Sequence, residues 1–486
     1  MVPGPNDDGT VQNGNGVKRQ LSKTLRSILK SKDISSDVFL QNVWQKLPVH
    51  FPFEGDDSHS PEVKGEWRDD EMQQNPFEES LHQSWHILKH LLEQAESRTR
   101  SRGDNGVDHS SIHTPLIFQN RELKSQEETQ GLYGSSLFAP YLDGCSVVLN
   151  HGDLLSPWIA AICQDLQSEF PHVYANTYLT PPDSQAVPPH ADDRDVFILQ
   201  LVGSKQWKVY ERVPIPYPYP DEQVGKEGIP VHPTILNGPL CIDTTLQPGD
   251  VLYMPRGFVH EASSPSNDLS FHVTIAIATH DWSLAGLISR ETNRILTNVI
   301  DYRQSTLPLA STTPATLQSQ LSTALSMLQE EITVDSLLSK LHARIDNHNQ
   351  RAVPARMALL EHARNSATTT RTLSSSSPAA VIVGPLAAME ITFTSVIRAA
   401  TPEERASVTI TDDPTRPRGL QVRPETYDTI LSIIGELKKQ PDRQCRVLNL
   451  QGLLQDLEPN QHVCDLTLLS LAKRGIELGA MAVVQK

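Results

Sequence analysis

Between Tyr141 and about His280 the chain is a succession of short apolar runs broken by Pro, Gly and Asp: "CSVVLN", "VYANTYLT", "DVFILQLVG", "KQWKVYE", "DVLYMP" and "SFHVTIAIAT". Runs this short, with turn residues at regular intervals, suit the strands of a sandwich or barrel rather than helices. No other feature of the sequence restricts the fold as strongly. Successive strand residues point to opposite faces, so each run sorts its side chains into two rows. Lys205, Trp207 and Val209 form one row, and Asn176, Tyr178 and Thr180 another. In the last run His272, Thr274, Ala276 and Ala278 make a small and polar row, while Val273, Ile275 and Ile277 make an apolar one. Polar rows on the strands of a small barrel are what a ligand cavity needs.

Two motifs give such a cavity its chemistry. "PHAD" sets His190 and Asp192 two residues apart, so in a strand both face one point. "PGDVLYMPRGFVHEA" carries Gly249, Pro255, Gly257 and His260 in a spacing that resembles the second motif of the cupin superfamily. The Pro-Gly turn reverses the chain at a barrel end, and the histidine opens the return strand facing inward. His190, Asp192 and His260 together are two imidazoles and one carboxylate, the facial triad of non-haem Fe(II) oxygenases. The octahedral positions opposite stay open for a cosubstrate and O₂. Lys205 on an inward face needs an anion, because a buried charge without a partner is costly. 2-Oxoglutarate would supply one: its keto acid chelates iron and its far carboxylate is left for a cation.

The stretch "NTYLTPPDSQAVPPHADDRDVFILQLVGSKQWKVY", with "LQPGDVLYMPRGFVHEA" and "FHVTIAIATHDW", resembles the JmjC-type ribosomal oxygenases, the bifunctional histidyl-hydroxylase and lysine-specific demethylase type. The likeness is close from about Asp143 to Trp282, and weaker over "DVFLQNVWQKLPVHFP", which is similar to the family's N-terminal helix. It implies a mixed β and α fold: a double-stranded β-helix (the cupin or JmjC jelly roll), then a helical dimerisation region and a small C-terminal winged-helix module. Motif by motif it implies that His190, Asp192 and His260 bind Fe(II), and that Lys205 binds the far carboxylate of 2-oxoglutarate, assisted by Tyr178 and Thr274. Asn176 would lie in the same pocket. Lysine at position 205 is similar to the eukaryotic members; the bacterial ones tend to have arginine. Ala191 departs from the family, which commonly has an aromatic between the two ligands, and the exchange is expected to leave space beside the metal. The family further implies a homodimer, a nuclear or nucleolar location (cytoplasm or an organelle being the alternatives) and hydroxylation of a histidine in a large-subunit ribosomal protein.

The rest of the chain divides by texture. Residues 1–36 read as a disordered basic segment, although Leu21, Leu25, Ile28 and Leu29 of "VKRQLSKTLRSILKSK" share one helical face. That helix would be solvated or docked on a partner, with targeting the alternative. Residues 37–281 form the expected catalytic domain, decorated by an insertion at about 54–135. "DVFLQNVWQKLPVHFP" predicts a short helix ending near Pro48. Within the insertion Asn75 caps a predicted helix, Pro76 suits its first turn, and Leu81, Trp85, Leu88 and Leu92 make a stripe. Residues 282–365 carry helical patterns, including Leu321, Leu325, Leu328 and Ile332, which are assigned to dimer contacts. Residues 366–380 are a Ser/Thr-rich linker, and 381–486, with short helices around Tyr427–Leu437, Leu448–Leu457 and Val463–Lys473, suit the winged-helix module.

Composition excludes several classes. A net charge of −16 argues against a general nucleic-acid binder and favours basic protein partners. The C-terminal module is charge-balanced, so direct DNA binding is not expected of it. Five scattered cysteines without a CxxC pair point to a reducing compartment and not to a zinc site. No apolar run is long enough to span a membrane, and the N-terminus lacks an apolar signal core. Three functions remain open: a ribosomal-protein hydroxylase, a histone lysine demethylase with the same iron chemistry, and an idle cupin scaffold. The intact His190, Asp192, His260 and Lys205 count against the scaffold.

Overall fold

The computed structural model describes residues 10–12, 18–20, 22–53, 75–105, 115–126, 129, 137–142, 144–226, 228–266, 268–303 and 313–370, with short pieces between 396 and 483. Strands β1 (Thr10–Gln12) and β2 (Lys18–Gln20) pair as an antiparallel hairpin. The next eleven are β3 (Val49–Phe51), β4 (Leu116–Gln119), β5 (Glu122–Leu123), β6 (Ser146–Leu149), β7 (Val173–Thr180), β8 (Asp195–Gly203), β9 (Lys205–Tyr210), β10 (Leu240–Leu246), β11 (Val251–Met254), β12 (His260–Ser263) and β13 (Ser270–Ile277). They form two antiparallel sheets, one in the order β3-β11-β8-β13-β7-β6-β4-β5 and a smaller one in the order β10-β9-β12.

The row structure of the strands explains how the sheets are covered. Trp207 and Val209 of β9 and Leu246 of β10 pack with Tyr174, Val196, Ile198, Leu252, Met254, Ala276 and Ala278 of the larger sheet and the residue following it. The two sheets therefore share a core. The other face of the larger sheet, with Phe197, Leu199, Tyr253, Val273, Ile275 and Ile277, packs in a second cluster with helical residues such as Ile87, Leu91, Trp158 and Ile162. Strand β13 thus turns its apolar row to the helices and its small and polar row to the small sheet, as the alternation requires.

The N-terminal segment differs from expectation. Residues Lys23–Lys30 form the helix that the apolar face predicts, but in a segment read as disordered it is fixed, with Leu25, Ile28 and Leu29 buried in the main core rather than solvated or docked on another protein. Ser22 caps it, and its Oγ donates to Asp165 Oδ2 at 2.6 Å on the helix Pro157–Leu166. Basic composition misled here because only one face is polar; the apolar face has a partner within the chain. Leu21 lies outside the described residues.

The segment 54–135 is also more than decoration. Its strands β4 and β5 extend the larger sheet through pairing of β4 with β6. Its helix Pro76–His82 is capped by Asn75, whose Oδ1 accepts from Phe77 N–H, as predicted. The following helix Ser84–Asn105 buries Ile87, Leu88, Leu91, Leu92 and Ala95, so its inward face is rotated from the predicted stripe, and Leu81 and Trp85 are only half-buried. The short helix after Ser35 ends earlier than Pro48: it passes into a π-turn at Phe39–Val43 and stops at Trp44.

Beyond the sheets come helices Leu284–Thr297, Pro314–Glu331 and Val334–Thr370. The last runs five residues into the stretch read as a linker. It is anchored by Arg356, buried, whose Nε donates to Asp153 Oδ2 at 2.8 Å and whose other nitrogens donate to Gln167 Oε1 and the Val173 carbonyl. Near the C-terminus β14 (Val396–Ala399) lies between β15 (Gln444–Arg446) and β16 (Met481–Val483), with helical residues at 432–433, 435–437 and 465–472. Among the described residues no helix is long and apolar enough to cross a membrane.

Candidate active site

His190 and His260 arrive at one point because their backbones pair. His190 N–H donates to the His260 carbonyl at 3.1 Å and His260 N–H to the His190 carbonyl at 2.9 Å, which places the rings 4.3 Å apart. Each ring has its Nδ1 against a carbonyl, that of Pro188 at 2.7 Å for His190 and that of Phe258 at 3.1 Å for His260. A carbonyl only accepts, so Nδ1 carries the proton and Nε2 keeps its lone pair for a metal. Asp192 closes the triangle, with Oδ1 3.5 Å from His190 Nε2 and Oδ2 3.9 Å from His260 Nε2. One ligand atom from each residue falls within 4.8 Å of the others. The turn before His260 holds by Gly257 N–H donating to the Asp192 carbonyl at 2.9 Å. Gly257 has φ +89, and a Cβ there would lie 2.7 Å from the Ile215 carbonyl.

The electrostatics suit a cation. Burial alone would raise the Asp192 carboxyl, but Lys226 and the two imidazoles hold it well below the ordinary carboxylate range. Burial, with His190 adjacent, pushes His260 down to about 3, so it stays neutral and ligating. Two imidazoles that present Nε2 and a carboxylate held ionised are the donor set of an Fe(II) facial triad, and the residues present fit that ion. Asp193, next in the chain, is buried and pairs with Arg194 at 2.7 Å.

Ala191 does not do what its sequence position suggested. It is buried among Tyr210, Val224, Ile235 and Val259. The residue between two ligands of a strand-like segment points away from both, so its size leaves no space beside the metal.

The residues expected around a cosubstrate lie in the predicted rows. Tyr178 pairs in register with His272, and Asn176 with Thr274, on neighbouring strands. Tyr178 stacks flat on His272 at 4.7 Å, hydrogen-bonds Asn176, and has its phenol pushed up by burial and by Asp192. Lys205 lies across from them on β9, with its Nζ donating to Thr180 Oγ1 at 3.1 Å. Trp207 bridges the two groups, its ring 5.9 Å from that of His260 and 5.6 Å, edge-on, from that of His272. Lys205 is 2% exposed, and burial drives its ammonium down to about 7. Burial and Lys205 keep His272 well below the ordinary imidazole range. Among the described residues Trp207 Nε1 and His272 Nδ1 are buried with no hydrogen-bond partner. A depressed ammonium beside such buried nitrogens offers polar groups to an anion, and a carboxylate is one that fits.

Sequence reasoning missed two participants. His272 was visible only as a member of a polar row. Lys226, whose Nζ lies 2.5 Å from Asp192 Oδ1, sits in a loop that no strand pattern marks. A separate polar cleft of about 540 Å³ lies on the outer side of the small sheet, lined by Arg121, Asp183, Lys208 and Glu261 among others, and touches none of the three ligand residues.

Comparison with known proteins agrees with this geometry. Residues 151–284 match the JmjC domain family, and all the site residues named above from β7 to β13 fall inside that span. The chain is 37% identical over 168 residues to the bifunctional lysine-specific demethylase and histidyl-hydroxylase NO66 of Dictyostelium discoideum, covering 34% of this chain and 31% of that protein. It is 42% identical over 109 residues to ribosomal oxygenase 2 of Mus musculus, covering 22% of this chain and 21% of that one. The chain thus aligns with about a third or less of the length of these relatives. The solved structure of Escherichia coli YcfD overlaps 93% of this chain and 99% of its own at 16% identity, with a TM-score of 0.38, too loose an overlap to bear on the chemistry.

Proposed function

We propose that this chain, a JmjC-domain member of the ribosomal oxygenase family, is an Fe(II)- and 2-oxoglutarate-dependent protein hydroxylase. One observation carries the reading: a two-histidine, one-carboxylate cluster stands beside a buried lysine that meets no anion among the described residues. Bound Fe(II) supplies O₂ activation coupled to the oxidative decarboxylation of 2-oxoglutarate to succinate and CO₂, and hence the oxidant for a substrate C–H bond.

The protein's own part is positional. His190 and His260 present Nε2 because carbonyls fix their Nδ1–H. Lys205 receives the far carboxylate, with Thr180 steadying its ammonium. Tyr178, Asn176 and Thr274 line the wall between the carboxylate end and Asp192. Trp207 and His272 fill the space around the chelate, keep water off it and offer the remaining nitrogens.

The two facing sheets are read here as the double-stranded β-helix of this family, and the C-terminal strands and helices as its winged-helix module. The preferred substrate is a basic segment of a large-subunit ribosomal protein, hydroxylated on histidine; the overall charge of −16 draws such a segment in. A second reading, lysine demethylation of histone, is supported by the two activities in the name of the Dictyostelium relative. The reading extends to a homodimer, because Leu321 and Leu325 are more than half exposed on an apolar face of Pro314–Glu331 that the described residues leave uncovered. It also places the protein in the nucleus or nucleolus. Incubation with Fe(II), 2-oxoglutarate and both peptide sets separates the chemistries by product mass. A ribosomal peptide should gain one oxygen atom; loss of methyl from histone lysine without any such gain would favour the second reading instead.

A further inference from the structure

The geometry points to Lys226 as a built-in counter-ion of the metal centre, an ammonium that holds the Asp192 carboxylate until a metal ion displaces it and so sets how tightly the metal binds. The inference rests on the reading of His190, Asp192 and His260 as a metal centre. It concerns a residue outside that triad, contributed by a loop between β9 and β10.

Lys226 is not a chance surface lysine. Its loop is stapled to the ligand segment: Ala191 N–H donates to the Val224 carbonyl at 2.8 Å, and Val224 bridges to Ile229. Within the loop Gly225 N–H donates to the Ile229 carbonyl at 2.5 Å, Lys226 N–H to the Gln223 carbonyl at 3.2 Å, and Gly228 N–H to the Lys226 carbonyl at 2.7 Å. Gly225 has φ +86 and touches the backbone of the ligand segment so closely that a Cβ would lie 2.4 Å from the Pro189 carbonyl and 2.8 Å from His190 Cα. The loop backbone is thereby locked against His190, and the ammonium is delivered to Asp192 Oδ1 at 2.5 Å.

Two consequences follow from charge. Asp192 sits between two imidazoles and is largely withdrawn from water, with 19% of its side chain exposed. Without the Lys226 ammonium its carboxylate would keep only the two flanking imidazoles as compensation. Lys226 supplies the missing charge and keeps the triangle assembled. A divalent ion bound by the same carboxylate would then face that ammonium at a few ångströms, and like charges so close repel. The Lys226 side chain is 34% exposed on a flexible stem, so it has room to swing outward when the metal enters. Lys226 is accordingly a positioning residue that acts through Asp192 and competes with the metal.

Metal binding itself is the readout. Mn(II) is titrated into the metal-stripped full chain, and free Mn(II) is followed by its electron paramagnetic resonance signal. Lys226→Gln and Lys226→Met are expected to bind Mn(II) roughly two- to fivefold tighter than the unaltered chain, the scale of one partly exposed charge pair. Lys208→Gln removes an equal charge from a lysine 3.8 Å from Glu261 and serves as the control, with affinity unchanged. Without metal both Lys226 variants should melt below the unaltered chain, and with saturating Mn(II) the difference should vanish. Equal or weaker Mn(II) binding by both Lys226 variants, with binding still lost in Asp192→Ala, overturns this inference alone. Failure of the unaltered chain to bind Mn(II), or equal binding by Asp192→Ala, overturns the metal-centre reading and this inference with it.

Discussion

Replacing Lys205 by alanine should break cosubstrate binding while sparing the fold. The ammonium is buried, and among the described residues its hydrogen-bond partner is Thr180 Oγ1 at 3.1 Å. A carboxylate docked there would exchange water for that ammonium, and truncating one partner of such a buried pair costs about 3–5 kcal/mol. At about 1.4 kcal/mol per tenfold, affinity for 2-oxoglutarate should fall by roughly two to three orders of magnitude. One correction is small: with its pKa near 7, half the lysine is neutral at pH 7, which weakens the unaltered chain by only about twofold. Calorimetric titration of 2-oxoglutarate into Mn(II)-loaded protein measures the change directly. The unliganded Lys205→Ala chain should melt no lower than the parent, since a buried, depressed ammonium does not favour the native state at neutral pH. Unchanged 2-oxoglutarate affinity in Lys205→Ala would refute the reasoning, because the cradle would then hold no carboxylate.

Other expectations follow from the same geometry. Burial lowers Lys205, so the neutral amine predominates above about pH 7 and 2-oxoglutarate affinity should fall as pH rises, by at most tenfold per unit; Lys205→Arg, which stays charged, should remove that slope in the same titration. Gly225→Ala forces a Cβ to 2.4 Å from the Pro189 carbonyl at φ +86, so thermal melting should show a loss of about 1–3 kcal/mol and the loop should leave Asp192. Arg356→Leu strands buried Asp153, and denaturant titration should show about 3–5 kcal/mol of lost stability. Light scattering should find a dimer at micromolar concentration and a monomer after Leu321→Arg with Leu325→Arg, two residues more than half exposed in the single chain.

Strand alternation made much of the site legible. Parity alone puts Lys205, Trp207 and Val209 on one inward face, and the structure buries all three. The same argument, applied to Ala191, would have shown it pointing away from the metal, where it packs against Val224 and Val259. Family likeness drew attention to its size and away from its direction. Long-range partners were not legible. Lys226 meets Asp192 across 34 positions through a loop held by glycines, and nothing in a local window announces such a contact. The apolar face of Lys23–Lys30 predicts its helix even within a segment whose composition reads as disordered; the sequence does not reveal the receiving surface on Pro157–Leu166. The rotated face of Ser84–Asn105 has a similar cause, since Ile87, Leu91 and Ala95 turn to whichever neighbours the tertiary fold brings.

On the proposed function, His190, Asp192 and His260 hold a metal ion at which 2-oxoglutarate is consumed. Succinate formation by the purified chain, with Fe(II), O₂ and 2-oxoglutarate supplied, tests it most directly when run beside Asp192→Ala. The account predicts succinate from the unaltered chain, lost on chelation and absent in Asp192→Ala, whose site keeps two imidazoles but no carboxylate. Equal succinate from Asp192→Ala, or none from the unaltered chain in the presence of all three reagents and a basic ribosomal peptide, would contradict it.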